Sequence, residues 1–336
     1  GNYWLVIISV YVLIAAGIPV WIILQPRDFI NAQILYAGIA LLLVALLVAG
    51  LKGLPINVPA TNVAEGVQYY GFIWPILFIT IACGAISGFH SLVAGGTTTK
   101  QISGECDARR VGFNAMLLES LLAVLVLLAI GVGLDFDDYR TIMVTGTDKN
   151  PVLAFSLAVG HLLNRTLGLP VDLATVFGVL LVEGFVVTTL DSAVRLNRYL
   201  FEELWNMAFK NPPAFLKHYW FNSGLAVVLM WVMASTNAIN LLWPIFGTSN
   251  QLLAALGLIT ITVWLMLKKR RYFFALIPAI FMMVTTFASL LILLRSYWEK
   301  GKYLLLGADL FLLILAVGLV ALLIRRVRDR GAPTEA

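Results

Sequence analysis

Apolar residues run along this chain in long stretches separated by short polar breaks. Each stretch approaches the roughly 20 residues that a helix needs to cross about 30 Å of hydrocarbon. They fall at 3–24, 33–51, 73–98, 113–134, 170–195, 215–235, 239–267, 272–294 and 303–324, which predicts nine membrane spans. The strands of a membrane barrel would read instead as short alternating segments. The expected fold class is therefore all-α, a polytopic membrane helix bundle. A tenth apolar stretch, Pro151 to Leu163, has only about 13 residues, too few to cross, and reads as a re-entrant or interfacial helix. Its Asn150-Pro151 opening suits a helix start. Linkers and tandem repeats are nearly absent, so residues 1–330 read as one transmembrane domain followed by a polar tail at 331–336.

Composition agrees with the pattern: 60% of the 336 residues are apolar and 12% charged, about half the charged share of a soluble domain. The formal charge of +5 does not point to nucleic acid, because the basic residues sit in short loops between apolar runs. Assigning alternate loops to opposite sides puts sixteen of the 23 Lys and Arg on one side, among them Arg27, Lys100, Arg109, Arg110, Arg195, Arg198, Lys268 to Arg271 and Arg325 to Arg330. The other side holds Lys52, Arg140, Lys149, Arg165, Arg295, Lys300 and Lys302, with the acidic cluster Asp135, Asp137 and Asp138. The positive-inside rule then makes the C-terminus cytoplasmic and the first residue external. Trp74, Trp243 and Trp298 fall near predicted outer ends, as interfacial anchors do. Cys83 lies in an apolar run and Cys106 in a polar loop, which is no disulfide framework. The opening Gly1-Asn2-Tyr3-Trp4 has no Met and no signal-peptide features, so a portion is expected to precede it.

Residues 83–101 are unusual for a lipid-facing helix, because glycines and hydroxyls cluster there. Gly84, Ser87, Gly88 and Ser91 fit a small-residue packing face. With Gly95, Gly96, Thr97, Thr98 and Thr99 they also fit a discontinuous helix whose freed backbone groups ligate a substrate or ion. His90 suits either burial as a neutral ring or proton carriage. A second polar element, Leu242 to Gln251, carries Pro244, Gly247, Thr248, Ser249, Asn250 and Gln251, and reads as a bent helix facing a cavity or as interhelical hydrogen bonding. Glu183, Asp191 and Arg195 occur at i, i+8 and i+12 of one long run, read as a shared face on which Asp191 and Arg195 pair. Glu183 has no cation within four residues, which makes it a candidate for reversible protonation. Glu119 is a second candidate, and Asp309 reads as a local polar contact near the outer end of the last span.

The chain resembles the carbon starvation protein A family of bacterial nutrient transporters. The resemblance rests on Gln25-Pro26-Arg27-Asp28, on Ile79 to Ser91, on Gly96-Thr97-Thr98-Thr99-Lys100-Gln101, on Asp107-Ala108-Arg109-Arg110, on Met116 to Glu119, on Thr188-Thr189-Leu190-Asp191 with Arg195, and on Trp243 to Gln251. These motifs cover most of the chain up to about Leu267, and the last two spans are generic. The resemblance implies proton-driven uptake of a peptide or of pyruvate through the inner membrane, on a fold similar to the amino-acid/cation symporters (LeuT-like). Family members extend further at the N-terminus, so helices beyond this chain are expected to share the substrate site. The implied partners are the small-molecule substrate, protons and membrane lipids, with no cofactor.

Two other classes compete. An intramembrane protease using Ser87 or Ser91 with His90 is disfavoured, because adjacent His90 and Ser91 diverge by about 100° on a helix and no Gly-x-Ser-x-Gly elbow occurs. Metal catalysis finds no support in the scattered His90, His161 and His218. A channel or nutrient sensor without coupled transport stays open.

Overall fold

The structure, a computed structural model, describes residues 2–145, 150–235 and 238–329. The tail expected at 331–336, with Arg330 and Lys149 of the charge count, lies outside them. Described regular structure is helical throughout. In chain order the α-helices are α1 (Asn2–Gly17), α2 (Leu24–Leu51), α3 (Val63–Tyr70), α4 (Phe78–Ala85), α5 (Gly88–Gly96), α6 (Glu105–Gly133), α7 (Phe136–Arg140), α8 (Pro151–Leu167), α9 (Val171–Ala208), α10 (Tyr219–Ser235), α11 (Ala238–Leu267), α12 (Phe273–Glu299) and α13 (Tyr303–Asp329).

Among the described residues, seven stretches are long and apolar enough to cross a membrane: Leu24–Leu51, Ile73–Lys100, Glu105–Gly133, Val171–Ala208, Leu242–Leu267, Phe273–Glu299 and Tyr303–Ala321. The remaining two of the nine expected spans are shorter apolar helices, Tyr3–Gly17 and Tyr219–Ser235. The first stops early because Pro19 cannot continue it. Large apolar side chains point outward along these helices, such as Leu127, Phe311 and Ile314, which is the surface that lipid would cover.

The chain divides into two compact units. The first comprises residues 1–62 and 96–231, and the second residues 63–95 and 232–336. In the first, α8 is packed by α2, α6 and α9. Asn150 caps its start by accepting the Leu153 amide at 3.0 Å, and Gly168 ends it at φ +71°. Nine of its 17 residues are buried, so this short helix packs largely against protein. Its close neighbour is α9, where a side chain on Gly178 would run into the backbone of Ser156. An apolar core made from Ile39, Leu42, Leu125, Val159, Leu162 and Leu181 joins the four helices.

α9 runs 38 residues, 13 past the predicted end at residue 195, because the amphipathic sequence that follows meets no breaker before Asn211-Pro212-Pro213. In the second unit α11 packs on α12, and α12 on α13. Ile245, Leu293, Tyr297 and Leu305 hold one end of this bundle, and Leu252, Ala255, Met282, Leu290 and Ala316 hold its middle. Trp243 and Trp298 are both exposed at the first of these ends, and the exposed Trp74 donates its indole hydrogen to Thr285 at 3.3 Å.

Candidate functional site

In the second unit the glycine-rich element is interrupted. α4 ends at Ala85, Ile86 takes φ −132° and ψ 79°, and Ser87 precedes α5. The break therefore lies two residues before Gly88. Any helix start leaves its first amides without intrahelical partners. Here side chains serve them: the Ser87 hydroxyl accepts the His90 N–H at 3.4 Å, and Asn250 Oδ1 on α11 accepts the Phe89 N–H at 2.7 Å. Ser87 Oγ donates to the same Asn250 oxygen at 3.3 Å, while Asn250 Nδ2 donates to Cys83 Sγ at 2.9 Å. One side-chain amide thus bridges the last turn of α4 and the first turn of α5.

Gly88 is the first residue of α5, and its role is proximity. A Cβ there would overlap the Asn250 carbonyl oxygen, the Leu253 side chain and the Ala254 nitrogen. Gly84, by contrast, is exposed with open space beside it. His90 and Ser91 are also exposed, with Ser91 next to Gly257 and the His90 ring edge-on to Phe89. Residues 242–251 form uninterrupted helix, with Pro244 accommodated inside α11. Ser249 donates to the Phe246 carbonyl, whereas Gln251 is fully buried with neither amide atom hydrogen-bonded among the described residues. Chemically, the break sets the first amides of α5, here capped by Asn250 and Ser87, beside the carbonyl end of α4, so a carboxylate would reach those amides by replacing the caps.

Gly95 closes the second unit, whereas Gly96, Thr97, Thr98 and Thr99 belong to the first. There Gly96 faces Leu196 of α9, Thr97 is buried outside helical geometry at φ −128°, and a short 3-10 turn spans Thr98–Lys100. The motif residues of this unit converge on one end of it. Gln25 Nε2 donates to Gln101 Oε1 at 3.1 Å, and the Lys100 ammonium lies 5.1 Å from the centre of the Tyr199 ring.

Asp191 and Arg195 do not pair with each other, contrary to the i, i+4 expectation. Asp191, 0% exposed, is bound through both oxygens by the guanidinium of Arg27, with Nη2 at 3.3 Å from Oδ1 and Nη1 paired to Oδ2. Tyr11 donates to Oδ2 at 3.2 Å and itself accepts from Arg27 Nη1 at 2.5 Å. Arg27 Nη2 also binds Asp28 at 2.9 Å. Arg195 instead donates to the carbonyls of Ala15 and Ile18 at 2.9 and 2.8 Å. The reason is the C-terminal end of α1, whose last carbonyls lack helical partners and attract cations. Tyr219 completes the clamp by donating to the Leu13 carbonyl.

Glu183 does not share the buried face of Asp191 and Arg195. Eight residues on a helix of 3.6 per turn leave a turn of about 80°, and Glu183 is exposed where Asp191 is sealed. Glu119 is exposed as well, on α6. Tyr11, Arg27 and Tyr219 had no assigned role in the sequence. Nothing local in the sequence marked Arg27 as the cation for Asp191, since Arg195 and Arg198 lie nearer in the chain. The basic groups sort by end: Arg27, Lys100 and Arg195 gather at one end of the unit, while Lys52 donates to the Arg165 and Thr166 carbonyls and Asn57 to Asp135 at another point.

Comparison with known proteins places these motifs. The profile described as Carbon starvation protein CstA matches residues 1–148 and 139–289. The peptide transporter CstA of Bacillus subtilis is 31% identical over 353 residues, covering 93% of this chain and 58% of that protein. The peptide transporter CstA of Helicobacter pylori is 29% identical over 334 residues, covering 83% of this chain and 48% of its own. The pyruvate/proton symporter BtsT of Escherichia coli is 28% identical, over 82% of this chain and 48% of its own. The chain spans about half the length of the curated relatives it matches. No solved structure matches it. With the profile extending over both units and through the interrupted helix, the chain belongs to the CstA carbon starvation protein family.

Proposed function

We propose that this chain forms part of a secondary active transporter that carries a small carboxylate-bearing nutrient, a peptide or pyruvate, across the bacterial inner membrane together with protons. The observation that carries this reading is the interruption between α4 and α5 bridged by Asn250. Interrupted helices in transporters offer backbone amides to anionic groups and carbonyls to cations, at a depth where a continuous helix offers neither. Ser87, Gly88, His90, Ser91 and Asn250 are the substrate contacts on this reading, with Gly84, Gly95, Ser249 and Gln251 beside them in sequence. A LeuT-like arrangement is the architecture that such an interruption supports. The names of the peptide-transporting and pyruvate/proton-symporting relatives support the substrate class.

Coupling is assigned to Glu119 or Glu183, each well inside a span-length helix, with Asp191 and Arg195 holding the charged end of the first unit in place. A charged carboxylate at the centre of a span costs roughly 2.5–3.5 kcal/mol on insertion scales, so carboxylates placed there are read as functional rather than structural. The basic end of the first unit faces the cytoplasm by the positive-inside rule. The test is flux in proteoliposomes containing the protein, with and without a pH gradient, using labelled pyruvate and a labelled dipeptide. Accumulation that requires the gradient supports symport. Equilibration without accumulation identifies a channel, and no flux at all removes the transport reading.

A further inference from the structure

The inward face of α13 repeats at the spacing of a helix seam, through Leu305, Asp309, Leu312 and Ala316. Three of these are apolar. The fourth is a carboxylic acid with 0% exposure, and neither of its oxygens has a hydrogen-bond partner among the described residues. The local polar contact expected for it is not made. Leu305 packs with Ile245, Leu293 and Tyr297, and Ala316 packs with Leu252, Met282 and Leu290. Asp309 lies between these two apolar clusters, about 9 Å along α13 from Tyr303 at 1.5 Å per residue.

The surroundings contain little that would hold a charge. α13 packs on α11 and α12. α11 has no ionisable residue from Ala238 to Leu267. On α12, Tyr297 is within electrostatic reach of Asp309, and its hydroxyl is likewise buried without a partner. Arg295 and Glu299 pair with each other at 2.8 Å on the exposed side of α12, and Tyr303 on α13 itself is exposed. An ionised carboxylate sealed among Leu and Ala side chains without a donor is strongly unfavourable, and the group responds by binding a proton. A metal cation would need several oxygen ligands converging on it, and none bonds there; a proton needs no cage.

We propose that Asp309 is a proton-binding site of the second unit, neutral while α11, α12 and α13 are packed and releasing its proton when that packing opens to water. The site deepens the proton-coupled reading above, yet it is testable without any transport. The sign follows from linkage: the packed form binds the proton more tightly than the opened form, so acid favours packing and rising pH favours opening.

Infrared spectra of the purified protein in nanodiscs read the proton directly, through the carbonyl stretch of a protonated carboxyl. The native protein at neutral pH is expected to show such a band, which Asp309→Asn removes and which native protein loses on raising the pH. Asp309→Asn imitates the neutral form, so it keeps the fold. A second readout is peptide-resolved thiol labelling of Leu312→Cys, whose rate, after division by the thiolate fraction, rises by up to about tenfold per pH unit above the point where the Asp309 proton leaves, the limit for one proton. With Asp309→Asn in the same background the labelling rate rises with pH only as the thiolate fraction does. A protonated-carboxyl band that survives Asp309→Asn unchanged, a native protein without such a band, or a band that appears only when sodium is withdrawn each overturns the proposal. If the band and its pH dependence hold while proteoliposomes show no proton-driven flux, the transport reading falls and this site stands.

Discussion

Asn250 Oδ1 accepts the Phe89 amide hydrogen at 2.7 Å, so the first turn of α5 is capped from α11, 161 residues away in the chain. The same side chain donates to Cys83 in α4. It thereby fixes the angle between two half-helices that no backbone hydrogen bond could hold. Replacing Asn250 by Ala leaves a part-buried N–H without this partner, a cost of about 1 kcal/mol. The expected outcome is a lower thermal unfolding midpoint in detergent, together with faster amide exchange confined to residues 83–91. Asn250→Asp keeps the acceptor for Phe89 and loses the donor to Cys83, so it should fall between the two. Unaltered exchange at 83–91 in Asn250→Ala would show that the bridge is not what holds the break.

Gly84 and Gly88 are four residues apart and predict opposite responses to the same change. At Gly84 a methyl group meets open space inside a helix, where Ala is favoured over Gly by about 0.5–1 kcal/mol, so Gly84→Ala should be neutral or stabilising. At Gly88 the methyl meets the backbone of α11, which cannot move aside cheaply. Overpacking of this kind costs about 1–3 kcal/mol, and Gly88→Ala should lower the unfolding midpoint. Thermal melts of the two variants side by side decide it. Equal effects would mean that α5 and α11 do not approach at Gly88.

Arg27 and Asp191 form a sealed ion pair with Tyr11 as a third member. Removing Arg27 alone strands a buried carboxylate, for which about 3–5 kcal/mol is typical. Arg27→Gln should therefore be severely destabilising, and Arg27→Gln with Asp191→Asn less so, because the double variant buries no unpaired charge. The interaction energy from the double-mutant cycle should be clearly favourable. The same cycle between Asp191 and Arg195 should return a much smaller value, since Arg195 is bonded to α1 carbonyls instead.

Glu183→Gln and Glu119→Gln test coupling separately from binding. Glutamine imitates the protonated acid but cannot release a proton, so the coupling variant should lose pH-gradient-driven accumulation and retain exchange of substrate. Initial rates of counterflow and of gradient-driven uptake in proteoliposomes measure the two. If both variants accumulate substrate with native pH dependence, coupling lies at another carboxylate, and Asp309 becomes the first to examine.

The loop Lys268 to Arg271 carries four consecutive basic residues between α11 and α12. By the positive-inside rule it is expected to face the cytoplasm. A cysteine placed beside Lys269 should resist an impermeant thiol reagent added to intact cells and react after permeabilisation. Reaction in intact cells would invert the topology.

What the sequence determined by itself was everything that depends on neighbours in the chain. Twenty-residue apolar runs report membrane-length helical stretches because burial of every backbone group within one segment is the condition for crossing lipid, and seven of the nine runs became such stretches, one of them interrupted at Ile86. The interruption near Gly88 was legible for the same local reason, since glycines and hydroxyls concentrate where backbone bonding fails. Ends were less legible: α9 continued past Arg195 because an amphipathic helix needs no hydrocarbon to persist. Partners were not legible at all. Asp191 has Arg195 one turn away, yet its cation is Arg27, because the free carbonyls at the end of α1 draw Arg195 off and only the folded unit brings α1 and α2 to that point. Asp309 likewise looked like an ordinary polar residue near a helix end, and its isolation follows from which face of α13 the bundle seals. Local hydrophobicity is written residue by residue, whereas a charge finds its partner across the fold, and tertiary packing alone decides which charges meet and which are left without one.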